Sequence, residues 1–341
     1  MAKDIRVLAG SDSGLFELKT TNGGEAWQSP RQLMNDLEIS AIAQAPDGTV
    51  YVGSRYKGLF RSRGDLTQWD QVETPPALQH TRALHIDGDR FLAGNEANPE
   101  PLAIFEWDGK QHWQSLGDMS ACSGSAEWFY PRQPEEGVHI RHLTTDPHKP
   151  ERIYTALQVG GVGISPDGGQ TWYDRRNLDL DVHMVEASPT EPGVVYAGSG
   201  GGGLFKSTDY GDTWACVSEE LGEFVVQFAI DPTNSQRVFL GTARGGPGQW
   251  RREPEIGAKG EMFRSDDGGA TWRKLTGGLP ELMHGRVNTI MIDPEEPRNV
   301  FFTGGHAKNQ PDSGVMFSGD AGESWRSIAP LDEVIAIRKL A

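Results

Sequence analysis

Two columns of polar and ionisable residues recur at matched positions in seven successive segments of this chain. Aligned on the aspartate of a recurring Asp-Pro turn, the first column reads Ser40, Arg82, Arg141, His183, Val226, Asn288 and Ile335. The second, two residues earlier, reads Glu38, His80, His139, Asp181, Phe224, Arg286 and Glu333. Guanidinium groups suit bidentate capture of a carboxylate or phosphate, and paired carboxylates suit acid–base work. Glu38 and Glu333 fall in neighbouring segments, so they are the candidate catalytic pair, with His139 or His80 as base. Arg82, Arg141 and Arg286, with His183 and Asp181, are the candidate substrate-binding groups. His80, His139 and His183 come from three consecutive segments. With a carboxylate beside them they would suit a divalent zinc or iron ion. The bland alternative is a wet channel whose charges only satisfy one another.

Long aromatic and basic loops accompany these columns, and such loops are more often functional than ornamental. The segment from Gly245 to Glu261 carries Trp250, a further candidate for binding substrate or for capping its own loop. The insertion from Ser115 to Gly137 carries Trp128, Phe129, Tyr130 and Arg132. His306, a candidate ligand contact, is followed by Lys308 and Asn309, and Gly53 by Arg55, Tyr56 and Lys57. Gly198 to Gly203 is glycine-rich, but no Lys-Ser/Thr helix start follows it, so a flexible loop is expected rather than a phosphate cradle. His85, His112 and His148 fall away from the aligned columns and receive no role.

The elements that must position these residues are legible in a second repeat. Ser165-Pro-Asp-Gly-Gly-Gln-Thr-Trp172 recurs as Ser207 to Trp214, Ser265 to Trp272 and Ser318 to Trp325. Thr20 to Trp27 has Asn for Asp, and two worn copies run from Ser62 to Trp69 and from Glu106 to Trp113. The closing tryptophans 27, 69, 113, 172, 214, 272 and 325 lie about 40 to 60 residues apart, the length of one four-stranded blade plus insertions. In each box Asp accepts backbone N–H groups two residues on, Gly supplies positive φ, and Trp buries a large ring. These aspartates imitate catalytic carboxylates, but a catalytic pair does not recur in every blade, and a structural turn does. A short apolar strand ending in Asp-Pro precedes each box (Leu143 to Pro147, Phe228 to Pro232, Ile290 to Pro294), followed by a second strand, twice ending in Gly (Gly241, Gly304).

The expected architecture is all-β: a single seven-bladed β-propeller over residues 1–341, with box hairpins between third and fourth strands. The chain opens on a second strand, Ile5 to Ala9, and ends on an orphan first strand, Glu333 to Ile337. Pairing these closes the ring and removes an exposed edge. The residues named above then gather at the mouth where the inner strands begin.

The boxes resemble the BNR/Asp-box superfamily over essentially the whole chain. That superfamily includes six-bladed sialidases, secreted xyloglucan-degrading glycosidases, sortilin-type receptors and the photosystem II assembly-factor family. The resemblance implies the fold and leaves the activity open. Seven repeats rather than six, and Tyr130-Pro-Arg-Gln rather than a sialidase-like Arg-Ile-Pro, point away from sialidase chemistry.

Composition narrows the classes. Of 341 residues 48 are acidic and 32 basic, a formal charge of −16 that opposes phosphate backbones and anionic lipid. Neither a nucleic-acid nor a membrane partner is expected. Two cysteines do not make a disulfide framework. With no apolar leader or long apolar run in this sequence, a cytoplasmic location is expected. Three functions follow: an intracellular hydrolase or lyase, glycosidase-like, acting on a small anionic or carbohydrate-like ligand at the mouth; a metal-dependent enzyme at the same place; or a non-catalytic propeller that binds a protein partner.

Overall fold

A computed structural model describes residues 4–97, 100–128, 138–175, 177–305 and 313–341. Among them lie seven four-stranded antiparallel sheets, each a chain meander except for one closed by the C-terminal strand, and the fold is a seven-bladed β-propeller. Chain contacts divide it into two units. The first comprises Met1–Ile39, Gly200–Leu204 and Val217–Ala341, and the second Ser40–Ser199 with Phe205–Cys216. No helix among the described residues is long and apolar enough to cross a membrane.

The second unit holds the sheets whose inner strands are Ile39–Gln44, Thr81–Asp87, Ile140–Asp146 and Val182–Ala187. Each inner strand hands over at a turn or box-like connection. In the turn after Ile140–Asp146, the Asp146 carboxylate accepts the N–H groups of His148 at 2.8 Å and Lys149 at 3.2 Å. Asp231 and Asp293 repeat that turn in the first unit. Neighbouring blades are spaced by glycine: a Cβ on Gly94 would stand 2.5 Å from Ile140 Cγ2, and one on Gly53 would stand 2.8 Å from Thr81 Cγ2. A β-branched residue of the next inner strand thus fills the place that any side chain would need.

In the first unit, Ile5–Ser11 pairs with Ala336–Lys339 in antiparallel register, Val7 opposite Lys339 and Gly10 opposite Ala336. This is the closure expected, with its strand shifted from the expected Glu333 to Ile337. Glu333 adopts a left-handed φ of 41° ahead of the strand. Val334 is buried, and its carbonyl accepts Thr303 Oγ1 at 2.8 Å, so the alternating pattern continues into a buried turn before pairing starts. Lys339 fastens this strand. Its Nζ lies 3.4 Å from Asp293 Oδ1 and 3.2 Å from Glu295 Oε2.

The boxes are turn staples in full. Ser165 Oγ accepts the Gly169 N–H at 2.8 Å and donates to Asp167 Oδ1 at 2.9 Å. Asp167 also accepts Thr171 N–H at 2.9 Å and Thr171 Oγ1 at 2.6 Å. The same four bonds recur in the boxes beginning at Ser207, Ser265 and Ser318. Three closing indoles reach the preceding blade: Trp113 Nε1 donates to Glu73 O, Trp172 to Leu116 O and Trp272 to Val217 O. The motif therefore ties blade to blade as well as strand to strand.

The staple predicts an acid limit. The threonine hydroxyl and backbone donors hold Asp209 and Asp267 at about 2, below the ordinary aspartate value. A carboxylate depressed in the folded state adds stability above its unfolded value, and that stability is lost as pH falls through the folded one. Replacing Thr213 with valine is therefore expected to raise the acid-unfolding midpoint within the pH window from about 4 down to 2. Acid titration by circular dichroism reads it, and coincident curves would contradict the staple's role.

Candidate functional site

A local irregularity aims the first column of residues. Inner-strand pairing passes from Thr81↔Asn95 to Ala83↔Gly94, skipping Arg82. It passes likewise from Ile140↔Leu157 to His142↔Ala156, skipping Arg141, and from Val182↔Ser199 to Met184↔Gly198, skipping His183. Val287 and Thr289 bracket Asn288 in the same way in the first unit. A bulge of this kind leaves one residue out of the ladder and turns its side chain. Each skipped residue belongs to the aligned column, so four of its polar positions are bulges.

In the second unit these bulges assemble a charged cluster. Arg82 donates through Nε to Glu96 Oε2 at 2.7 Å, and its Nη2 lies 2.6 Å from the same oxygen. Arg55 Nε lies 4.0 Å from Glu96 Oε2. Burial lowers the Arg82 pKa; Glu96 opposes this, and the positive charges of Arg55 and Arg141 add to it. Arginine nonetheless stays protonated. Arg141 Nη1 donates to Gln158 Oε1 at 2.8 Å, a neutral acceptor, and Arg141 has no carboxylate within ion-pair distance among the described residues. Beside it, His183 Nε2 lies 3.2 Å from Asp181 Oδ1. Burial opposes ionisation of Asp181, but His183 and the charge of Arg141 hold its pKa below the usual carboxylate value. An ionised aspartate against an imidazole is the arrangement that orients a histidine for proton transfer.

The histidines of the second column take separate positions. His80 meets the Tyr56 ring edge-on, centroids 5.6 Å apart, and its carbonyl accepts the Glu96 N–H. His139 is buried in a backbone bridge to Glu96. Among the described residues no three or more His, Cys, Asp or Glu side chains converge to hold a metal ion. The metal reading of His80, His139 and His183 is corrected accordingly: the three do not converge, and His80 and His183 face ring and carboxylate neighbours of their own.

In the first unit, Arg286 Nε donates to Asn288 Oδ1 at 2.7 Å, and its guanidinium stands 5.9 Å from the Trp250 ring centroid. Of the two expectations for Trp250, binding substrate is corrected, and capping its own loop is what the structure shows. The helix Pro247–Arg252 turns the ring inward against Phe224, and its N–H donates to Arg244 O at 2.5 Å. Only 3% of Trp250 is exposed. Glu38 is half-buried just ahead of the strand Ile39–Gln44, and Glu333 precedes the closing strand. His306, Lys308, Asn309, Phe129, Tyr130 and Arg132 lie outside the described residues. Ser40 is occupied structurally, its hydroxyl donating to the carbonyls of Gly53 and Thr81.

Glu96 and Gln158 escaped the alignment. Both stand at the ends of second strands, where the Glu96 N–H donates to His80 O and the Gln158 N–H to His139 O. A column counted along second strands, which would also hold Arg55, finds them. His85, given no role, closes a small network below: its Nε2 lies 2.9 Å from Thr145 Oγ1, which donates to Asp87 Oδ2 at 2.9 Å.

Similarity to known proteins sharpens the class. The Sortilin-Vps10 family model (sortilin, neurotensin receptor 3) matches residues 202–336. A xyloglucanase of Paenibacillus sp is 25% identical over 223 residues, covering 55% of this chain and 21% of that protein. The chain spans a fifth to a quarter of the length of the curated relatives it matches. Among solved structures, a GH74 enzyme of Niastella koreensis superposes with a TM-score of 0.66 at 18% identity, over 84% of this chain and 44% of that one. YCF48 from Cyanidioschyzon merolae gives 0.61 at 17% identity, over 92% and 95% of the two chains. A YCF48 structure bound to D1 peptide gives 0.54 at 16% identity, over 84% and 80%. These likenesses show the propeller fold, and they are consistent with the BNR/sialidase-like propeller superfamily.

Proposed function

We propose that this propeller binds a small anionic or carbohydrate-like ligand at the Arg55–Arg82–Arg141 cluster and processes it as a hydrolase or lyase. The observation that carries the reading is Arg141: a partly buried guanidinium held by neutral Gln158, in a chain with 16 more acidic than basic residues. Asp181 acts on Arg141 only from beyond ion-pair distance, so a ligand anion would supply the close counter-charge that Gln158 does not. His183, oriented by Asp181, is the group placed to move a proton. The xyloglucanase relatives support a glycosidase-like reaction as a distant analogy. A cytoplasmic site of action belongs to the same proposal.

The test is calorimetric titration with small carboxylates, phosphates and sugars against wild type and Arg141→Gln. Loss of one charged hydrogen-bonding anchor is expected to weaken an anionic ligand by about 2 kcal/mol, roughly 30-fold. Equal affinities would defeat the reading.

A second reading is supported by the YCF48 match in size and fold, one such structure holding a peptide. On that reading the same face engages a protein segment, and the titration shows no small ligand at all.

A further inference from the structure

Tyr56 stands out from the rest of the described surface. Among the described residues it is the one large hydrophobic side chain more than half exposed, at 51%. A lone exposed aromatic needs no explanation by itself. This one, however, is fixed within the charged cluster. The Arg55 guanidinium lies 5.1 Å from its ring centroid, and His80 meets it edge-on at an interplanar angle of 85°. Arg55 in turn approaches Glu96, which binds Arg82. A half-open ring therefore borders the guanidinium cluster.

The charge pattern limits what can bind beside that ring. Glu96 neutralises Arg82, and Asp181 faces His183. Arg55, Arg82 and Arg141 thus stand against two carboxylates, Glu96 and Asp181, which leaves the cluster one negative charge short, and Arg141, whose close partner is neutral, is the anchor for it. The groups around that anchor, Gln158, Asp181 and His183, are hydrogen-bonding rather than apolar. They suit hydroxyl groups, and a flat aromatic hydrocarbon would leave them unsatisfied.

We infer that the ligand is a monoanionic sugar acid of the hexuronate class, its carboxylate on Arg141 and one ring face against Tyr56. This rests on the anionic-ligand reading above and makes the anion and the sugar one molecule. Tyr56 is then a specificity-determining residue: it reads the ring, as Arg141 reads the charge.

Calorimetry on the full chain with D-glucuronate, D-glucose, acetate and benzoate tests this, using wild type, Tyr56→Ala, Tyr56→Phe and Arg141→Gln. Glucuronate is expected to bind most tightly. Tyr56→Ala should weaken it about tenfold, within the usual range for a stacked ring, while Tyr56→Phe retains it. Acetate should bind weakly and equally to wild type and Tyr56→Ala. Unchanged melting temperature is expected for both Tyr56 variants, because the ring is exposed. Glucuronate binding that ignores Tyr56→Ala overturns the inference, as does benzoate binding as tightly as glucuronate, or no glucuronate binding at millimolar concentration. Glucuronate affinity that falls in Tyr56→Ala but not in Arg141→Gln overturns the anionic anchor and leaves ring recognition standing, so the two failures read differently.

Discussion

Glu96→Ala is expected to destabilise the protein by about 3–5 kcal/mol, the usual cost of removing one partner of a buried ion pair. Arg82 is 15% exposed and Glu96 7%, so water cannot take over the lost contact. Arg55 and Arg141 make matters worse, since both repel the orphaned guanidinium. The control is the double variant Arg82→Met/Glu96→Leu. Replacing both charges by apolar groups of similar size is often neutral, so most of the stability should return. Urea unfolding of the two proteins reads the difference. A single variant within 1 kcal/mol of wild type would mean that the pair is more open to solvent than its exposure states.

Lys339→Met should cost about 3 kcal/mol, the lower end of that range, because its partner keeps other donors. Asp293, 3% exposed in its side chain, still accepts the N–H groups of Glu295 and Glu296 and the Asn299 amide. The loss should be local. Amide exchange is expected to quicken along Ile5–Ser11 and Ala336–Lys339 while the sheet starting at Phe228 stays protected. Uniform acceleration would show that the closing strand opens only with the whole fold.

The fold was legible because its signals are local. The Ser-x-Asp-x-Gly-x-Thr-Trp box spells out its own hydrogen bonds, and the Asp-Pro turn marks where each inner strand ends. Closure by the last strand followed from an apolar run with no partner of its own, although Val334 stretched that run into a turn. The site was legible only along inner strands. Arg82, Arg141 and His183 fell into one column because they share a bulge, yet nothing in the residue types announces a bulge. Glu96 and Gln158 were missed because both stand just past the ends of second strands, where no column was counted. For Trp250 the sequence left binding and loop-capping both open, because nothing in the loop's residue types shows that a six-residue helix folds its one large ring inward.

The bulge shared by four inner strands has a bearing on how such a protein changes over time. Arg82, Arg141, His183 and Asn288 each stand where no ladder partner is set opposite them. A substitution there alters the side chain presented and leaves the pairing on either side intact. Diversity can then accumulate one blade at a time, much as letters are exchanged in a fixed frame, without each new specificity having to rebuild the sheet that presents it.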